Sequence, residues 1–61
     1  MATYSYEIAP VKTKDRAERS ALLVTGTVVA VSYGTATQEV SRIAAEKSKE
    51  TGIEYGVVRL Y

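Results

Sequence analysis

Only one stretch of this chain has the spacing of a helix, and it lies between two stretches that do not. From residue 35 onward Ala36, Val40, Ile43 and Ala44 recur at i, i+4, i+7 and i+8, a narrow apolar stripe suited to packing on a sheet. Before it comes the β-branched run 21–31, A-L-L-V-T-G-T-V-V-A-V, and after it 53–61, I-E-Y-G-V-V-R-L-Y, in which Val57, Val58 and Leu60 read as a closing strand. A lone helix with one apolar stripe must cover something, and the simplest arrangement has it crossing between two strands of one sheet. The corner from strand to helix falls within 31–43, V-S-Y-G-T-A-T-Q-E-V-S-R-I.

Local signals give the helix its ends. Thr35 reads as the N-cap, with Gln38 at capping-box spacing and Glu39 adding negative charge to the first turn. The helix is expected to run to about Thr51, with Gly52 as the left-handed residue that stops it. Its outer face carries Arg42 with Glu46 four residues on, an intrahelical pair or a partner contact.

Upstream, residues 3–8 alternate, with Tyr4, Tyr6 and Ile8 on one face and Thr3, Ser5 and Glu7 on the other. Pro10 ends this strand. Residues 11–20 hold Lys12, Lys14, Asp15, Arg16, Glu18 and Arg19 with almost nothing apolar, a solvated loop or short exposed helical turn, or else a basic arm for an acidic partner. Within 21–31 the main strand is expected over 27–32, with Thr25 and Gly26 marking a bend or bulge. Leu22, Leu23 and Val24 form either a strand lead-in or a packed loop over one edge. Both faces of the main strand are apolar or small, which predicts a central strand or a face covered by a partner. Gly56 reads as a bulge or a point of close contact. The expected fold is therefore α+β, one domain over 1–61, a small three-stranded sheet with one packed helix in the order strand, loop, strand, helix, strand.

A domain of 61 residues buries only about 60% of the surface its unfolded chain exposes. Small cores usually need a disulfide, a metal or a partner, and the chain has no Cys and no His. Zinc, haem and iron–sulfur sites are disfavoured, no disulfide can form, and a reducing, cytoplasmic compartment is the expectation. The N-terminus has no basic segment leading into an apolar one, and no apolar run approaches the ~20 residues of a bilayer span, so a soluble, unprocessed chain is expected. Eight Lys and Arg against seven Asp and Glu give a net charge of +1, too balanced to imply nucleic acid or an anionic membrane by itself.

Catalytic groups are scarce. Nucleophilic chemistry needs an activated side chain beside a base, and the single Asp sits in a polar segment. Glu39, Glu46 and Glu50 read as a solvated helix face. The four glycines at 26, 34, 52 and 56 form no phosphate-binding loop. No catalytic residue, cofactor or metal site is assigned. The compositional oddity is five Tyr with no Phe or Trp, since Tyr suits half-wet surfaces such as interfaces. Tyr6 and Tyr4 are expected to fill the core with their hydroxyls at its rim, whereas Tyr33 at the corner and Tyr61 are candidates for partner contact.

The order of elements and the corner resemble a known family, the small phycobilisome linker (CpcD-like) domain, which also forms the N-terminal domain of cyanobacterial ferredoxin–NADP reductase. Val31, Tyr33, Glu39, Arg42 and Ile43 match its pattern of an apolar strand ending in V-P-Y followed by Glu-x-x-Arg-Ile, and Gln38 is a residue that members use. Tyr6, Glu7 and Ile8 resemble its Tyr-Glu-Val, and Val57, Val58, Arg59 and Leu60 its Ile-Val-Lys-Ile ending. Ser32 stands where the family has proline, the paired glycines after the helix are reduced to Gly52, and the segment after Ile43 is about two turns longer. The resemblance implies a non-enzymatic linker that inserts into or caps a phycobiliprotein ring, or another multi-subunit complex, at the cytoplasmic face of thylakoid membranes, and modulates rod assembly and energy transfer. The partner-binding residues on that reading are Tyr33, Gln38, Arg42 and Tyr61, with Lys12, Lys14, Arg16 and Arg19 steering an acidic partner. The alternative is a small nucleic-acid-binding module using strand tyrosines and the basic 12–19 segment. A third reading is self-association through an open edge of the Val-rich strand.

Overall fold

A computed structural model describes residues 1–61. The elements are β1 (Ala2–Pro10), α1 (Arg16–Ala21), β2 (Val24–Ala30), α2 (Tyr33–Thr51) and β3 (Tyr55–Leu60). The strands form one antiparallel sheet in the order β2-β1-β3. The fold is α+β, as expected from the pattern. Because β2 and β3 each run antiparallel to β1, they are parallel to one another with β1 between them, and α2 crosses over the middle strand.

The alternation in β1 sets the two faces of the sheet. Tyr4, Tyr6 and Ile8 lie opposite Val28, Gly26 and Val24 of β2, and these residues face α2. The helix answers with Ala36, Val40 and Ala44, all buried, and half-buried Ile43. Ile8, Val40, Ala44 and Tyr55 form the core cluster, with Tyr6, Val24, Val28, Ile43 and Leu60 packed around it. Only eight residues are buried, so each core contact is a large share of a margin that is about 3–5 kcal/mol in domains of this size. On the opposite face α1, capped by the Asp15 carboxylate accepting from the Ala17 N–H at 2.9 Å, covers Ala9 and leaves the rest open.

Three expectations are corrected, and the choice left open at Gly56 is decided. The Val-rich strand is an edge, not the centre: its apolar residues on both faces do not place it, because Val29 is exposed and β1 takes the two flanking partners. It also begins earlier, at Val24, and runs through Thr25 and Gly26 in unbroken register. Gly26 is required there because a Cβ would lie 2.5 Å from the Tyr6 hydroxyl, whose ring crosses the strand. The helix is capped by Ser32, not Thr35: the Ser32 hydroxyl accepts from the Thr35 N–H at 3.2 Å, the helix starts three residues earlier, and Glu39 falls outside the first turn. The bulge of β3 is at Val58, the residue left over between the pairs Glu7–Arg59 and Ile8–Val57, whereas Gly56 is a close-contact point lying under the Val11 side chain. The helix does end as read, with Gly52 at φ 74°.

Tyr55, which no local pattern singles out, is the most buried tyrosine. Its hydroxyl donates to the Leu22 carbonyl at 3.1 Å and its N–H donates to Ser48 Oγ at 2.7 Å, so it ties β3 to both the lead into β2 and α2.

Candidate functional site

The residues singled out from sequence do not converge on one site. They divide between the two ends of a molecule about 36 Å long, because β1 begins beside Tyr33 and Tyr61 and ends where the basic segment starts.

The first end is aromatic and apolar. Tyr33 is the first residue of α2 and the first member of its sheet-facing stripe, three positions before Ala36. Its hydroxyl donates to the Leu60 carbonyl at 3.2 Å, and its ring meets that of Tyr4 edge to face with centroids 5.8 Å apart. The ring is thereby held in one orientation while 54% of the residue stays exposed. On the open face of the sheet, Tyr61 pairs with Ser5 through reciprocal backbone bonds of 2.7 and 2.9 Å, and the Arg59 guanidinium sits 4.4 Å from the Tyr61 ring centre. Arg59 was missed from sequence, although its i, i+2 relation to Tyr61 in a strand puts both on one face. Met1, Val29 and Val31 are exposed at this same end.

Gln38 and Arg42 do not share this surface. Arg42 follows Tyr33 by nine positions, about two and a half turns, so the two project from opposite sides of α2. Arg42 is clamped along its own helix, donating to Glu39 at 2.7 Å and to Glu46 at 3.4 Å. The hydrogen bond that Glu39 accepts and the charges of both carboxylates push the guanidinium pKa further up. Gln38, one turn before Arg42, is exposed beside it.

The second end is basic. Lys12 reaches Glu54 at 3.1 Å as an exposed pair, and Lys14 is exposed in the loop. Arg16 and Arg19, at i, i+3 on α1, turn to the sheet together with Ser20 and Leu23 and wall a groove of about 320 Å³ whose floor is Glu7, Ala9 and Val58. Neither arginine has a carboxylate within ion-pair distance. The groove is therefore mixed in charge, with the two guanidinium groups on its wall and the Glu7 carboxylate on its floor.

The tyrosines do not form a stacking platform. Tyr4, Tyr6 and Tyr55 face α2, leaving Tyr61 as the open face's one aromatic ring. No group of three His, Cys, Asp or Glu side chains is placed to hold a metal ion, and no helix is long and apolar enough to cross a membrane. No family model matches the chain, no curated protein matches it, and no solved structure matches it.

Proposed function

We propose that this chain is a non-enzymatic linker module that docks its aromatic end on a larger multi-subunit protein, a phycobiliprotein ring in the terms of the sequence resemblance. The observation that carries the reading is that exposed Tyr33, Tyr61, Val29, Val31 and Met1 lie at one end of the sheet, Tyr33 on its helix side and Tyr61 on its open face with Arg59 over the Tyr61 ring. Tyr and Arg are the residue types that supply most binding energy at protein interfaces. Here Tyr33 is held in place before any partner arrives, by its hydrogen bond to Leu60 and its contact with Tyr4, so little side-chain freedom is lost on docking.

A monomer of 6.6 kDa is expected to expose about 3,900 Å², and this chain exposes 4220 Å². The excess is small, and the body is thin, 36 × 20 × 14 Å in its principal extents. The unpaired Arg16 and Arg19 at the far end supply the positive charge that steers an acidic partner.

The test is a titration of purified phycobiliprotein rings with the labelled chain, beside a single-stranded oligonucleotide at low salt. The expected result is saturable binding to the rings, weakened about tenfold or more by Tyr61→Ala with Arg59→Ala, the size of one hot-spot loss. These side chains lie on the open face, so the variant keeps its fold. Equal binding by the variant, or retention of the oligonucleotide in place of the rings, overturns the proposal.

A further inference from the structure

The outer side of β2 is a bare strand edge. Its seven residues, V-T-G-T-V-V-A, pair with β1 without a break on one side and with nothing on the other. No side chain anywhere in the molecule hydrogen-bonds to residues 24–30. The strand has no charge, no proline and no bulge, and those are the devices that keep a free edge from pairing.

We propose that a second copy of this chain occupies that edge, β2 against β2 in antiparallel register about a two-fold axis at Thr27, giving a continuous six-stranded sheet. The argument for a second copy is that the strand complements itself in this register. Val24 then faces Ala30 and Gly26 faces Val28, so on the helix side each larger residue meets a smaller one. On the open side Thr25 faces Val29 and Thr27 faces its own copy, all β-branched pairs of the kind that stabilise sheets. Sliding the axis to residue 26 sets glycine against glycine, and sliding it to 28 sets Val28 against Val28; both shorten the paired length. Like-on-like pairing brings no two charges together, because the strand carries none. The closed two-fold limits the assembly to a dimer, since β2 is then used up. Val29 belongs to both surfaces, but Tyr61 and Arg59 lie on the β3 side of the sheet and Thr27 on the β2 edge, so the two tests change different residues and the two proposals fail separately.

One edge strand buries less than a standard interface of about 800 Å² per partner, so the dimer is weak and its test must span roughly 10 µM to 1 mM. Sedimentation velocity of the full chain across that range is expected to show a concentration-dependent shift from monomer to dimer. Thr27 is exposed opposite Ser5, so Thr27→Lys and Thr27→Glu keep the monomer fold, checked by an unchanged thermal melt. Each alone places like charges at the axis and is expected to stay monomeric throughout, and mixing the two in equal amounts restores the dimer. A wild-type chain still monomeric at the top of the range, a Thr27→Lys variant that dimerises like wild type, or a mixture that fails to associate overturns the proposal.

Discussion

β2 and β3 are the two outer strands of one small sheet, both valine-rich and both lying beside β1, yet only β2 is open to further pairing. At β3 the helix closes the edge from both ends: Ser48 Oγ accepts from the Tyr55 N–H at 2.7 Å, and the Tyr33 hydroxyl donates to the Leu60 carbonyl at 3.2 Å. Between them the Val58 bulge breaks the regular spacing of backbone groups. At β2 the helix offers nothing of the kind. The difference follows from how α2 connects. It enters β3 through the short link from Gly52 to Glu54, which leaves its last turns beside the start of that strand, while at its own first turn Tyr33 is long enough to reach the strand's end. Valine content does not decide which edge is protected; the helix's hydroxyl groups and the Val58 bulge do.

The comparison breaks most completely if the helix is loosened. Val40 is fully buried at the centre of the stripe, and Val40→Ala is expected to cost about 2–3 kcal/mol, most of what a core this small supplies. Urea melts at 25 °C should show a population partly unfolded before denaturant is added, with both edges exchanging their amides alike. A loss under about 1 kcal/mol would mean that the stripe does not hold α2 over β3 and that the edge difference has another cause.

A smaller change separates the edges without loosening the core. Ser48→Ala removes the acceptor of the half-buried Tyr55 N–H along with the Ser48 bond to the Ala44 carbonyl, an expected loss of about 1–2 kcal/mol. Hydrogen exchange should report selective loss of protection at the Tyr55 amide. Thr25→Ala on the open face of β2 serves as the control and should stay within about 0.5 kcal/mol of wild type. Equal effects at the two strands would erase the distinction.

What could be read from the sequence is what depends on neighbours along the chain. The two faces of β1, the stripe Ala36, Val40, Ala44 and the stop at Gly52 follow from periods of 2 and 3.6 and from a glycine at positive φ. What could not be read depends on partners far along it. Tyr55 looks like any of the five tyrosines until Leu22 arrives to accept its hydroxyl. The central place of β1 is a matter of which strands flank it, and two apolar faces on β2 carry no information about that. Ser32 and Thr35 are both able to cap, and the end of β2 at Ala30 settles the choice in favour of the earlier one. Of the candidate surface, Tyr33 and Tyr61 lie at one end on opposite faces of the sheet, but Arg42 faces away from Tyr33, a separation that counting turns along α2 already contains.

Tyr33 is where the edge comparison and the docking proposal touch, and its smallest change tests both. Tyr33→Phe keeps the ring and its edge-to-face contact with Tyr4 while removing the bond to the Leu60 carbonyl. That bond is exposed, so its loss is expected to cost about 0.5–1 kcal/mol and to lower the melting temperature by about 2–8 °C in a domain this size. The freed carbonyl restores an acceptor to the outer edge of β3, but the Val58 bulge still interrupts that edge, so no new association is expected in sedimentation. Ring binding, which relies on the apolar face of the side chain and on its orientation, should weaken by less than in the Tyr61→Ala, Arg59→Ala variant. If Tyr33→Phe makes the chain associate through β3, the hydroxyl alone guards that edge and the bulge contributes little.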